Sequence, residues 1–536
     1  MAFNDEQLQA INSDSSKIAV IAGAGAGKTT LMIARISRLV KAGVDPTSIL
    51  ALTFTNAAAA HMREKYKMEN PGLQIPEFRT FHAFCYSIIV KDYNVRTALG
   101  YSLIPSIADD VKVKWIEKNA EMQSGIKLTE DQKAGKGFLS PKVKKDLEIY
   151  RKAVDRLLKK ENLITFDILC ESICKMFINK DQCILQYREK YKYLFVDEFQ
   201  DTDPRQFRFV SSFPEGCHWF FVFDVLQSLY AFRGADSSLA KMMSKNPDFE
   251  KIKLYQNYRS TQQICDYANK FAKSYADESY RIEMRGQRDG DPVEVHHGSV
   301  TTYDEPVDSD HLDALIDRVR DLKDEAAILC RTNKEVNFIA NRLKDEKIPY
   351  TRDKKDSAEF ENILRSVMDN DFMRDWLATF LTSDRYADYI RQSTQVENPD
   401  LNWFLNLYGT LDEIRKRANT ISDIRRILSD KSAKMKAKCE QIAKIFKIEL
   451  DFSPFEGKNW SSMSEFIDDF IELIDKDKKE HTLVLSTCHG SKGLEWNTVF
   501  VMGVGDFNFK LDSEDNKNVA YVAYTRAKNH LIVYGR

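Results

Sequence analysis

The sequence predicts an α/β protein with two parallel-sheet domains, each interrupted by a helical insertion. Three observations lead to this. Short apolar, β-branched runs alternate with amphipathic helical stretches at both ends of the chain, the alternation lapses twice, and a glycine-rich loop joins the first run to the first helix. At 536 residues the chain is too long for one hydrophobic core. With 43% hydrophobic and 30% charged residues it has the balance of a globular protein, not a disordered one.

In chain order, KIAVIAG from Lys17 reads as a buried strand. Lys28 to Lys41 reads as a helix with Met32, Ile36, Leu39 and Val40 on one face. ILALTFT, ending at Thr55, is a second strand-like run, followed by the Ala-rich helix NAAAAHMREK. The alternation then stops, and the charged amphipathic segment PKVKKDLEIYRKAVDRLLKKEN suggests an all-helical insertion. YKYLFVDEF from Tyr191 and HWFFVFD from His218 restore the strand signal. A second α/β region starts near Lys251, with AAILCRT as strand and KEVNFIANRLKDE as helix. ENILRSVMDNDFMRDWLATFL, LDEIRKRA and MSEFIDDFIELID are helical, and HTLVLST, NTVFVMGV and NHLIVYG are strands. The expected division is a first α/β domain (1–88 and 166–250) around an insertion (89–165). A second (251–352 and 479–536) surrounds another insertion (353–478).

Net charge is −2, from 79 basic and 81 acidic residues, so bulk charge neither announces nor excludes a nucleic-acid partner. No run approaches the ~18 apolar residues of a membrane span, and the start lacks the basic and apolar regions of a signal peptide. Cys170 and Cys174, the nearest of nine cysteines, are spaced as two small apolar residues on one helix, and the thiols are expected to be reduced. The expected location is the cytosol, or the nucleus in a eukaryote.

The strongest local signal is AGAGAGKTT, comprising Ala22, Gly23, Ala24, Gly25, Ala26, Gly27, Lys28, Thr29 and Thr30. It fits the phosphate-loop pattern with alanine in place of the first glycine. Glycines let backbone N–H groups turn inward around phosphate oxygens, and the following helix N-terminus adds a favourable dipole. Lys28 is expected to neutralise the β/γ-phosphates and the Thr29 hydroxyl to ligand Mg²⁺. YLFVDEFQD places Asp197 and Glu198 at a strand end, Asp197 to hold Mg²⁺ and Glu198 to orient and deprotonate the attacking water. The chemistry expected is NTP hydrolysis with Mg²⁺.

VDEFQDTDPRQ is very similar to the corresponding segment of UvrD, Rep and PcrA helicases. FNDEQLQAI, LTFTNAAAAHMREK, RTFHAFC, QSLYAFRGA, LYQNYRST, STCHGSKGLEW and VAYTRAK resemble the remaining motifs of that family, in order and over essentially the whole chain. The resemblance implies two RecA-like P-loop domains with ATP between them and a single-stranded DNA track. By the same resemblance Gln7 reads the adenine edge, Tyr258 stacks on the adenine, Gln227 senses the γ-phosphate and Glu495 approaches the ribose or phosphates. Arg259 and Arg526 reach the γ-phosphate, whose developing charge cations stabilise. The expected DNA contacts are Phe54, Thr55, Asn56, Phe81, His82, Tyr230, Phe232, Arg233 and His489. Rings there can stack on bases without sequence preference, although strand-end aromatics are as often packing residues.

Three departures stand out. Phe223 occupies the usual place of a glycine, Thr30 that of an arginine flanking adenine, and Asn516 that of a glutamate. None removes a catalytic group. The second insertion is small, and the chain stops soon after VAYTRAK, which points away from an appended nuclease. The implied function is a 3′→5′ DNA helicase of replication, recombination or repair acting on single strands and single/double-strand junctions. The alternatives are a translocase that strips proteins from DNA, and a motor subunit with a loading or nuclease partner. An inactive fold is disfavoured by the intact site.

Overall fold

The computed structural model describes residues 3–108, 110–133, 140–229, 236–297, 309–322, 324–352, 423, 426–427, 435–445, 469 and 483–535. The chain divides into two compact units: residues 1–109, 116–348 and 485–536, and residues 110–115 and 349–484.

In the larger unit, six apolar segments form strands β1 (Lys17–Ala22), β2 (Ile49–Thr53), β3 (Glu77–Thr80), β4 (Tyr193–Val196), β5 (His218–Phe223) and β6 (Glu250–Leu254). They pair in the order β3-β2-β4-β5-β1-β6, all parallel. Helices α1 (Asp5–Asn12), α2 (Lys28–Lys41), α3 (Asn56–Glu69), α4 (Phe81–Lys91), α5 (Pro141–Lys160), α6 (Phe166–Asn179) and α7 (Pro204–Ser211) follow in chain order.

A parallel sheet covered on both faces explains why these strands read as continuous apolar runs instead of alternating ones. On β1, Ile18 and Val20 point to one face and Ala19 and Ile21 to the other. The first face packs on Leu31, Met32 and Ile36 of α2 and on Met62 and Tyr66 of α3. The second packs on Phe84 and Ile88 of α4, Ile173 and Phe177 of α6, and Phe209 of α7. Cys170 and Cys174 are buried in this second core, as their spacing suggested. Strand β6 pairs with β1 through Ile18↔Glu250 to Ala22↔Leu254, so the first sheet runs past its expected end at residue 250.

The segment expected to be an all-helical insertion (89–165) contains α5 and the helix Asp110–Ser124, but it is not all helical. Ser106–Ile107 and Leu163–Ile164 pair as a short parallel ladder. Leu163 and Ile164 are buried, and buried backbone amides need partners, which the ladder supplies.

The second sheet of this unit contains β7 (Glu294–His297), β8 (Ala326–Cys330), β9 (Leu483–Thr487, its last three residues in this unit), β10 (Trp496–Val504) and β11 (Ala527–Gly535). Their order is β7-β11-β10-β8-β9, with parallel pairing along β7-β11-β10-β8. Helices α8 (Gln262–Lys273), α9 (Asn333–Asp345) and α10 (Glu514–Tyr524) accompany it.

In the smaller unit, helix Met435–Ile445 buries Cys439 and Ile442, and the Thr351 hydroxyl donates to the Leu483 carbonyl at 3.4 Å. The helices expected from ENILRSVMDNDFMRDWLATFL, LDEIRKRA and all but one residue of MSEFIDDFIELID lie outside the described residues. Among the described residues no helix is long and apolar enough to cross a membrane.

One buried charge on α2 holds α1 in place. Arg35 Nη1 donates to the carbonyls of Ala10 (2.7 Å) and Ile11 (3.1 Å), near the end of α1 where carbonyls lack helical partners. Burial, helped by Arg38, lowers its pKa to about 10, so it stays charged at neutral pH. Arg35→Met, which keeps the aliphatic volume, is expected to cost about 2 kcal/mol of stability. Urea unfolding with unchanged slope and a lowered midpoint checks this.

Candidate functional site

Because the strands of the first sheet are parallel, the loops leaving β1, β2, β4 and β5 open on one edge, where α/β sheets bind ligands. The loop after β1 is the glycine-rich segment. Gly25 (φ 66°) and Gly27 (φ 75°) adopt the left-handed conformation that other residues avoid. Gly25 is also sterically required: a Cβ there would sit 2.7 Å from Asn257 Oδ1 and 2.8 Å from Arg259 Cβ. Gly27 caps α2 without any side-chain acceptor, which leaves the first-turn N–H groups for a ligand. Ala22, Gly23, Ala24 and Ala26 are buried, and Lys28, Thr29 and Thr30 are half-buried along the loop and first turn. Lys65 Nζ of α3 donates to Thr30 Oγ1 at 2.6 Å.

At the end of β4, Asp197 is buried and its N–H donates to the Leu52 carbonyl at 2.9 Å. Burial, then the Glu198 charge, raises the Asp197 pKa. Glu198 is half-buried; desolvation opposes its ionisation, but Lys28 and Lys492 outweigh that effect and lower its pKa. Glu198 has φ 51°, a strained conformation for a non-glycine residue, and its carboxylate accepts from the Gln200 amide. After β5, Asp224 caps the turn containing Gln227, and Gln227 Nε2 donates to Asp224 Oδ2 at 2.7 Å.

Residues of the second sheet meet this edge. Arg526 is almost fully buried; its Nη2 donates to Gln227 Oε1 at 3.3 Å and its Nε to the Val522 carbonyl at 2.9 Å. Burial, then Arg259, lowers its pKa to about 9, still charged at neutral pH. Arg259 Nε lies 2.5 Å from Glu495 Oε2, and its Nη1 donates to the Thr525 carbonyl at 3.0 Å. Glu495 also pairs with Lys528 at 3.4 Å. Trp496 pairs with Ala527, which explains why Glu495 and Arg526 emerge side by side.

Gln7 is fully engaged by protein: Nε2 donates to the Ala26 carbonyl (3.2 Å), and Oε1 accepts from the Asn4 N–H (3.2 Å) and the Tyr258 hydroxyl (3.1 Å). It therefore ties the loop to Tyr258.

Phe54 and His82 are half-buried and line a cavity of about 280 Å³ together with Asp201 and Arg205. Thr55 and Asn56 are exposed, and Thr55 caps α3 by accepting from the Ala58 N–H at 3.1 Å. Phe81 touches the same cavity but is a core residue, 6% exposed and edge-on to Phe209 at 6.2 Å. The first residue of α4 turns inward here, where it packs against Phe209 of α7. His489 lies beyond β9, where Arg331 Nη1 donates to its Nδ1 at 3.4 Å; Arg331 Nη2 also reaches Asn516 Oδ1 at 3.1 Å. Tyr230, Phe232 and Arg233 lie outside the described residues.

Two contributors were not singled out in the sequence. Asn257, inside QNYRST, donates Nδ2 to the Ala24 carbonyl at 2.9 Å, and its Oδ1 accepts from the N–H groups of Arg259 (2.7 Å) and Ser260 (2.8 Å). Lys492, inside HGSKGLEW, donates to Asp201 Oδ2 (2.5 Å) and the Gln227 carbonyl (2.8 Å), and lies 3.7 Å from Glu198. Burial raises the Asp201 pKa to about 6 although Lys492 opposes the shift. Both residues lie in recognised motifs, and that position was the available signal.

A phosphate loop facing an acidic strand end, with arginines arriving from a second parallel sheet, defines a two-domain P-loop NTPase. Profiles of known families agree. The UvrD/REP helicase N-terminal domain matches residues 3–249, and the UvrD-like helicase C-terminal domain matches 252–364 and 358–534. The chain belongs to the UvrD/REP helicase family, ATP-using enzymes built on RecA-like domains. Its relatives include a protein named probable DNA helicase II homolog of Mycoplasma capricolum subsp. capricolum, 27% identical over 99% of this chain and 84% of that one. Proteins named ATP-dependent DNA helicase PcrA are 25% identical in Staphylococcus aureus Mu50 and 24% in Staphylococcus epidermidis, each over 99% of this chain and 83% of theirs.

Burial, then Arg331, lowers the His489 pKa to about 4. The fold favours neutral imidazole, so His489 contributes stability that is full above its ordinary value of 6.5 and is lost as pH falls toward about 4. Arg331→Met is expected to raise this pKa part of the way back, as read by an NMR titration of the ring.

Proposed function

We propose that this helicase is a 3′→5′ motor on single-stranded DNA that separates duplexes at single/double-strand junctions in replication, recombination or repair. The observation that carries this is Gln227: it belongs to the first sheet yet bonds Arg526 and Lys492 of the second, beside Glu198. A γ-phosphate in that cleft would exchange contacts with both sheets, so its cleavage would alter how they hold each other.

In this reading the loop from Ala22 to Gly27 and the N-terminus of α2 bind phosphates. Lys28 neutralises charge on the transferred group. Glu198 accepts the proton of the attacking water, and its lowered pKa keeps it ionised. Arg259 and Arg526 meet the charge that develops on the γ-phosphate, and Gln227 reports its presence. Tyr258 and Gln7 shape the adenine end, with Thr30 and Glu495 flanking the nucleotide.

Thr29 and Asp197 suit Mg²⁺: one hydroxyl and one carboxylate are hard oxygen donors that leave most positions to water and phosphate. Magnesium would supply charge neutralisation at the phosphates.

Phe54, Thr55, Asn56, His82 and His489, with Tyr230, Phe232 and Arg233, form the proposed track. The division into two RecA-like domains with insertions at 89–165 and 353–478 goes with this reading, the first sheet extended to Leu254.

Lys28→Ala and Glu198→Gln are each expected to lower DNA-stimulated ATP hydrolysis at least about a hundredfold while single-strand binding persists. Wild-type turnover in Glu198→Gln would remove the base assignment. Unwinding should require a 3′ overhang, and equal use of 5′ overhangs contradicts the polarity. Translocation without strand separation would identify a translocase.

A further inference from the structure

We propose that Arg288 is a positioning residue that sets the aim of Arg259 by clamping its loop to the start of strand β11, next to Arg526. The inference rests on the role proposed above for Arg259. Arg288 lies outside every recognised motif, in the segment that follows helix α8.

The geometry is specific. Arg288 Nη2 donates to the carbonyl of Arg259 at 2.7 Å, the carbonyl of Lys528 at 3.1 Å and Oδ1 of Asn529 at 2.9 Å. Three oxygens, one from the Arg259 loop and two from the start of β11, thus converge on one charged nitrogen. A guanidinium suits this task because it is always charged and its N–H groups have fixed directions. The backbone of the same segment is fastened as well. The Arg288 carbonyl accepts from the Gln262 N–H at 2.8 Å, while the N–H groups of Gly286 and Gly290 donate to the side-chain oxygens of Gln262 (2.8 Å) and Gln263 (2.7 Å). There is no room to slide: a Cβ on Gly290 would lie 2.4 Å from Thr261 Cγ2. Arg288 is therefore carried on a segment locked to the N-terminus of α8.

The clamped loops are those that present the two arginines. Ser260 Oγ donates to the Ala527 carbonyl at 2.7 Å and the Thr261 N–H to the Lys528 carbonyl at 3.1 Å, so residues 259–261 and 526–529 run side by side. At the other end, Arg259 Nη1 holds the Thr525 carbonyl. Arg288 closes the far side of this block, gripping the Arg259 backbone while its own guanidinium remains exposed. Transition-state contacts are sensitive to displacements of an ångström or less, so a loosened Arg259 backbone would slow chemistry without weakening nucleotide binding to the same degree.

Steady-state ATP hydrolysis with saturating single-stranded DNA tests this in wild type, Arg288→Ala, Arg288→Lys, Arg259→Ala and the Arg259→Ala/Arg288→Ala double variant. Arg288→Ala is expected to lower kcat about tenfold with KM for ATP within about twofold. Its single-strand affinity and thermal midpoint should match wild type. Arg288→Lys should recover much of the loss, because one ammonium can donate to the same three oxygens. The double variant should be no slower than Arg259→Ala, since Arg288 would then have nothing left to aim. Wild-type kcat in Arg288→Ala beside a crippled Arg259→Ala overturns the positioning role alone, as does a double variant slowed by the full product of the two effects. Wild-type turnover in Arg259→Ala removes both this role and the one proposed for Arg259.

Discussion

The contact on which the rest of the site depends is the one between the phosphate loop and buried Asn257. Its amide nitrogen holds the Ala24 carbonyl and its oxygen collects the N–H groups of Arg259 and Ser260. A buried amide with both ends bonded is costly to displace, because any shift strands a polar group away from water. The loop that must wrap phosphate and the loop that carries Arg259 are thereby held at a fixed separation. Gly25 is part of the same constraint, since a side chain there would collide with Asn257.

Around this anchor the electrostatics are concentrated. Asp197, Glu198, Asp201 and Asp224 cluster at one sheet edge, and burial raises the pKa of each except Glu198, which is held ionised by Lys28 and Lys492. Lys492 and Arg526 come from the second sheet, so the balance of charge at the first depends on the second being in place. Opposed charges in a desolvated cleft couple strongly, which gives ligand chemistry leverage over the arrangement of the two sheets.

Much of this was legible in the sequence for identifiable reasons. The strands were visible because a parallel sheet buried on both faces demands unbroken apolar runs. The phosphate loop was visible because its backbone needs left-handed residues at Gly25 and Gly27. Other features were not. The segment EKIKL alternates in polarity, and nothing in it says which sheet it joins; pairing with β1 placed it in the first. Phe81 and His82 are neighbours of similar promise and both line the cavity, but Phe81 is also packed into the core against Phe209 while His82 stays half-buried. Lys492 and Asn257 sit within motifs, yet no local pattern reveals what a lysine or amide will meet across the chain.

The sequence by itself determined the phosphate chemistry, the two sheets and the family, because these rest on local backbone requirements and on motif order. Only the tertiary structure decided which side chains share a hydrogen bond across hundreds of residues. Arg526 on Gln227, Lys492 on Asp201, and Arg288 on the carbonyls of Arg259 and Lys528 are pairings between loops distant in sequence. Such contacts follow from how strand ends line up once both sheets are formed. Periodicity and propensity record each element's own preference for helix or strand, whereas these bonds depend on the separation between elements.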